Sequence, residues 1–126
     1  MPIFNQEREI YEIIYSIEIH STLPHNWILI NDASKDNTLE ILTTIISKYL
    51  LSSNYTKELV ILNNPIPIYE TACDNLGFIN SSTPYIIEIQ SDIHLRTKGF
   101  DNLLIKPLLS SSCISSGGRA GHSFLE

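Results

Sequence analysis

The sequence predicts an α/β fold, a mostly parallel, Rossmann-like sheet flanked by helices. Three observations predict it. Short apolar runs rich in isoleucine alternate with longer stretches of helical periodicity. The resulting order of strand, helix, strand, helix, strand, helix, strand is that of a parallel sheet with crossover helices. Polar clusters follow the apolar runs, at the carboxyl ends of strands, where such sheets bind ligands. The 126 residues, 43% of them hydrophobic, fit one domain spanning 1–126.

Taken in order, residues 1–4 form a very short first strand. Asn5 is positioned to cap a helix from Gln6, with Glu7 and Glu9 in its positive first turn. Ile10, Ile13, Ile14 and Ile17 recur at helical spacing, and the helix ends before Pro24. Residues 27–30 make a buried second strand, followed by the polar loop 31–37. Asn37 and Glu40 have capping-box spacing for a second helix. Leu39, Leu42, Ile45, Ile46 and Tyr49 form its apolar face. Residues 59–62 are the third strand. Pro65 and Pro67 then interrupt regular structure. A third helix covers 69–78, with Ala72, Leu76 and Ile79 along one face. Residues 84–89 predict a fourth strand, 99–107 a last helix and 112–115 a fifth strand.

Charge excludes one class of function. Eight basic residues stand against 14 acidic ones, a net charge of −6, and Lys and Arg do not cluster. A nucleic-acid partner needs a basic stripe, so none is expected. The N-terminus carries no basic stretch followed by an apolar run, and no run is long enough for a bilayer. A soluble cytoplasmic protein without a transmembrane segment is the expectation. Cys73 and Cys113 are far apart and fit reduced thiols rather than a metal site.

The polar clusters 5–7, 31–36 and 90–94 should gather at one edge of the sheet. Asp32 could accept hydrogen bonds from a base or ribose, although its cluster equally suits a loop and cap. Asp92 could take a divalent cation, since Mg²⁺ often uses only one or two protein carboxylates. Its cluster equally suits a solvated turn, and His94 is a second ligand or a surface residue. The start of the third helix offers free N–H groups to an anion. Gly117, Gly118 and Arg119 suit either phosphate contact or a turn, and match no phosphate-loop pattern.

Together these segments resemble family 2 glycosyltransferases of the GT-A fold. Pro2-Ile3-Phe4-Asn5-Gln6-Glu7 is similar to the family's opening Pro-x-Tyr-Asn-x-Glu. Ile30-Asn31-Asp32-Ala33-Ser34-Lys35-Asp36-Asn37-Thr38 is similar to Val-Asn-Asp-Gly-Ser-x-Asp-x-Thr, the most specific match. Cys73-Asp74-Asn75-Leu76-Gly77 resembles Ala-Arg-Asn-x-Gly, and residues 85–92 resemble the strand leading to Asp-x-Asp. The resemblance covers nearly the whole chain.

It implies an N-terminal nucleotide-binding half that transfers a sugar from a UDP- or GDP-sugar, with inversion, to an unknown glycan, lipid or protein acceptor. Pro2, Phe4 and Glu7 would border the base, and Asp32 would hold base or ribose. Asn75, Gln90 and Ser91 would lie along the donor, and Asp92 would bind Mn²⁺ or Mg²⁺. Gln90 replaces the first Asp of the family motif, and Asp74 replaces its Arg. No catalytic base matches: Asp101 and Glu126 fall outside the pattern. The resemblance therefore implies a chain incomplete at both ends. The alternative is a nucleotide-sugar-binding remnant that has lost the base.

Overall fold

The computed structural model describes residues 1–110 and 112–118. Arg119 and Glu126 lie outside the described residues. Three parallel strands run in the order β1 (Pro2–Ile3), β2 (His25–Asn31), β3 (Thr56–Asn63). Pro2 pairs with Ile30 and Ile3 with Asn31, and the β2–β3 register runs from His25↔Thr56 to Asn31↔Asn63. The register slips between His25 and Asn26, a bulge at the start of β2.

Between β1 and β2 lies α1 (Ile10–His20). All four isoleucines of its predicted stripe are buried. The helix begins later than expected, because Asn5 has φ 51° and serves another loop instead of capping. Between β2 and β3 run α2 (Thr38–Ile41), a π-helical turn (Leu42–Ile46) and α3 (Ser47–Leu51), without interruption. Asp36, rather than the expected Asn37, caps this helix: its Oδ1 accepts the Thr38 N–H at 3.0 Å. The wide π turn brings Leu42 and Ile46 inward and leaves Ile45 exposed, contrary to its predicted place on the apolar face.

Both crossovers lie on the same side, as right-handed connections to successively added strands require. Side chains alternate along a strand, so Ile3, Trp27, Leu29, Leu59 and Ile61 share the face these helices cover. The core is built there. Ile28, Ile30, Val60 and Leu62 point to the opposite face.

The opposite face is covered by α4 (Tyr69–Ile79). Cys73 is its buried side chain, and the predicted face is rotated: Ala72 and Ile79 are exposed. Small residues decide this. Cys73 and Gly77 let the helix approach the sheet, and a Cβ on Gly77 would lie 3.5 Å from Ile30 Cδ1.

Segment 84–89 forms no strand. Pro84 has no N–H to donate and the strand it would join is only two residues long, so the ladder it could make is minimal. Ile87 and Ile89 instead pack against the core as half-buried side chains. The last helix, α5 (Phe100–Ser110), buries Phe100 and Asp101 and continues past Pro107. Residues 112–118 are irregular among the described residues, so the fifth strand is absent there. No helix is long and apolar enough to cross a membrane among the described residues.

Candidate functional site

Two of the three predicted polar clusters meet at the carboxyl edge of the sheet, because β1 and β2 end side by side. The two loops clasp each other through backbone donors and side-chain acceptors. Asn5 N–H donates to Ser34 Oγ at 2.9 Å, and Lys35 N–H donates back to Asn5 Oδ1 at 2.8 Å. Gln6 N–H reaches Thr38 Oγ1 at 2.8 Å, and Glu7 N–H reaches Asp36 Oδ2 at 3.1 Å. Asn37 N–H donates to Glu7 Oε2 at 2.9 Å. Asn5 and Ala33 (φ 58°) take left-handed backbone to make these turns. For alanine that conformation costs on the order of 1–2 kcal/mol.

Asp32, the last residue before Ala33, is 5% exposed. Its Oδ1 accepts Asn64 Nδ2 at 2.8 Å and Ile68 N–H at 2.9 Å, and its Oδ2 accepts Tyr69 N–H at 2.9 Å. Burial alone would raise its pKa. The Ile68, Asn64 and Tyr69 donors outweigh burial and hold the carboxyl below its usual value. The carboxylate thus anchors the loop 64–69 and the first turn of α4, where Tyr69 takes a left-handed φ of 65°. Beside it, Asn31 donates to Asn63 Oδ1 at 2.7 Å. Among the described residues Asn31 Oδ1 is buried without a hydrogen-bond partner, an acceptor at this edge.

The predicted residues divide into two groups. Pro2 is buried within β1, Phe4 is half exposed after it, and Glu7 is locked in the loop clasp. Together with Asp32 they occupy the joined ends of β1 and β2. Asn75 is exposed on α4. Gln90 donates through Nε2 to Glu70 Oε1 at 2.8 Å and also to Glu88 Oε1. This ties the third cluster to the start of α4. Burial first, then Asp74 and Glu70, push the Glu88 pKa up. Ser91 is half-buried, and Asp92 and His94 are exposed. Among the described residues no group of three side chains could hold a metal ion. A cation at Asp92 would need most of its oxygens from its ligand or from water, as Mg²⁺ sites often have.

A cavity of about 360 Å³ lies elsewhere, against the second sheet face, between Ile28, Ile30, Val60, Gly77, Phe78 and Ile86. None of the eight predicted site residues lines it.

The sequence reading missed two buried carboxylates at the opposite, amino-terminal edge. Glu18 is 4% exposed and accepts His25 Nε2 at 2.9 Å, Trp27 Nε1 at 3.0 Å and Thr56 Oγ1 at 3.1 Å, together with the Ser53 hydroxyl. Asp101 accepts the N–H groups of Thr22 and Leu23, each at 2.7 Å, and the Thr22 hydroxyl at 2.9 Å. Glu18 had a readable signal: it lies four residues after Ile14, inside the apolar stripe. Asp101 had none.

No family model matches the chain, and neither a curated protein nor a solved structure matches it.

Proposed function

We propose that this chain is the nucleotide-binding half of a GT-A-fold glycosyltransferase of family 2. It would take a UDP- or GDP-sugar at the carboxyl edge of β1 and β2. The observation that carries the reading is Ala33. It stands where the family pattern has glycine, and its φ of 58° is the conformation glycine favours. The clasp between loops 5–7 and 31–38 adds support, since it joins the two segments that resemble the family most.

On this reading Phe4 offers an exposed ring to a base. Asp32 meets the base or ribose only if a ligand donor replaces one of its present donors. The Asn64 amide is the exchangeable one, because Ile68 and Tyr69 donate through backbone. Asn75 and Ser91 border the sugar, and Asp92 shares a Mn²⁺ or Mg²⁺ ion with the diphosphate. The acceptor is an unknown glycan, lipid or protein.

One observation favours binding without transfer. Inverting transfer needs a carboxylate base, and Asp101, the acidic residue after Asp92 among the described residues, is buried at the far edge of the sheet with its hydrogen bonds directed at 22–23 and Asn102. A nucleotide-sugar-binding module is the second reading.

Calorimetry with UDP-glucose and GDP-mannose, each with Mn²⁺, tests both. Binding at millimolar concentration or tighter is expected, weakened about tenfold by Asp92→Ala. No heat with either donor at millimolar concentration refutes both readings. Sugar transfer by this chain selects the first.

A further inference from the structure

The amino-terminal edge of the sheet holds a second polar centre, independent of any donor site at the carboxyl edge. His25 opens β2, and both of its ring nitrogens face acceptors. Nδ1 is 2.8 Å from the Leu23 carbonyl oxygen, and Nε2 is 2.9 Å from Glu18 Oε2. A carbonyl oxygen only accepts, and so does an ionised carboxylate. A neutral imidazole carries one N–H and would set a lone pair against a lone pair at the other contact. Imidazolium satisfies both. Glu18 receives donors from His25, Trp27, Thr56 and Ser53, which is the environment of a carboxylate.

This pair is central to the local assembly. Glu18 belongs to α1, His25 and Trp27 to β2, Thr56 to β3 and Ser53 to the turn before it. The β2–β3 ladder bulges at the same point, between His25 and Asn26.

We propose that Glu18–His25 is a pH-operated latch: Glu18 gathers α1, β2 and the 53–56 turn, protonated His25 completes the set of donors, and loss of its proton leaves one of the two ring contacts unmet and loosens this edge of the sheet.

Of the other charged and titratable groups on the elements around it, Asp101 acts on the ring and the rest are engaged elsewhere. Asp101, from α5, adds negative charge. Tyr55 meets His25 through its backbone, whose carbonyl accepts the His25 N–H at 3.0 Å. Lys98 is committed to the carbonyls of Ile19 and Ser21, at 2.8 and 3.1 Å, with the Tyr55 ring 5.7 Å away. Glu58, on β3, accepts the Asn26 amide at 3.1 Å. His20, on α1, contacts the Ser16 carbonyl.

Burial would lower the His25 pKa, but Glu18 and the Leu23 carbonyl outweigh it and raise the value above 6.5. Burial would raise Glu18, but His25, Ser53 and Trp27 outweigh it and lower the value below 4.5. The latch is therefore fully closed between these reference values. It opens as pH rises through the folded His25 value, and again as pH falls through the folded Glu18 value.

Nitrogen NMR of the His25 ring in the full chain tests this. Both nitrogens should be protonated at pH 6, with a titration midpoint above 6.5. Trp27, the chain's single tryptophan, has its ring centroid 5.9 Å from that of His25, so its emission should change with the same midpoint. Amide exchange at the end of α1 and the start of β2 should accelerate above that midpoint, with the carboxyl-edge loops unaffected. Glu18→Gln should return the midpoint to 6.5 or below. A single neutral tautomer at pH 6, a wild-type midpoint at or below 6.5, or unchanged exchange across the titration would overturn the latch. The wild-type titration decides the matter even if Glu18→Gln fails to fold.

Discussion

The two faces of the sheet differ in how they are filled. On the first, α1 and the α2–α3 segment set Ile10, Ile13, Ile14, Leu42, Ile46 and Leu50 against Leu29, and all seven are fully buried. On the second, α4 meets Ile30 through Gly77, and about 360 Å³ stays open beside Ile28 and Val60. The first face is held by contact along its length. The second is held largely from one end, where Asp32 grips the loop that leads into α4. A sheet can thus be rigid through packing on one side and through a single polar anchor on the other.

The difference can be tested by substitution. Leu42→Ala on the packed face should cost about 3–4 kcal/mol in denaturant unfolding, since Leu42 is fully buried and its truncation leaves a void among close neighbours. Asp32→Ala should cost about 3 kcal/mol, because three donors lose a charged acceptor. Its signature is local: amide exchange should accelerate in α4 and stay unchanged in α1. Acid should loosen α4 as well, together with the Glu18 edge of α1. The Asp32 pKa is depressed, so its contribution is complete above about 3.8 and lost as pH falls through the folded value. Ile28→Ala, beside the cavity, should cost only about 1 kcal/mol. If it costs as much as Leu42→Ala, the two faces are equally packed and the comparison fails. Gly77→Ala should stabilise the fold by about 0.5–1 kcal/mol, because the added methyl meets Ile30 at ordinary contact distance and alanine favours helix.

The packed face was legible in the sequence because periodicity reports it directly. Ile10, Ile13, Ile14 and Ile17 announce both the helix and its buried side. Polar clusters at strand ends likewise announced the meeting of 5–7 with 31–38. Three things were hidden. The π turn that expels Ile45 has no readable local signature. The orientation of α4 depends on small residues and on Asp32 across the sheet, not on its own apolar spacing. Segment 84–89 has the composition of a strand, yet strand formation also needs a partner of adequate length, and β1 is two residues long. At the candidate site, the strand-end position of Asp32 was legible, but its three donors lie 32, 36 and 37 residues away and no pattern names them.

The strand order β1-β2-β3 also sets an order of assembly. Each strand docks beside the one made just before it, so the three strands of the described residues can pair once Asn63 has been synthesised. Chains emerge at roughly 5–20 residues per second, and domains form as their parts appear. The isoleucine-rich face can therefore close while α4 and α5 are still being translated. Phe100 and Asp101 arrive later, and the contacts of Asp101 with Thr22 and Leu23 then join α5 to the segment between α1 and β2.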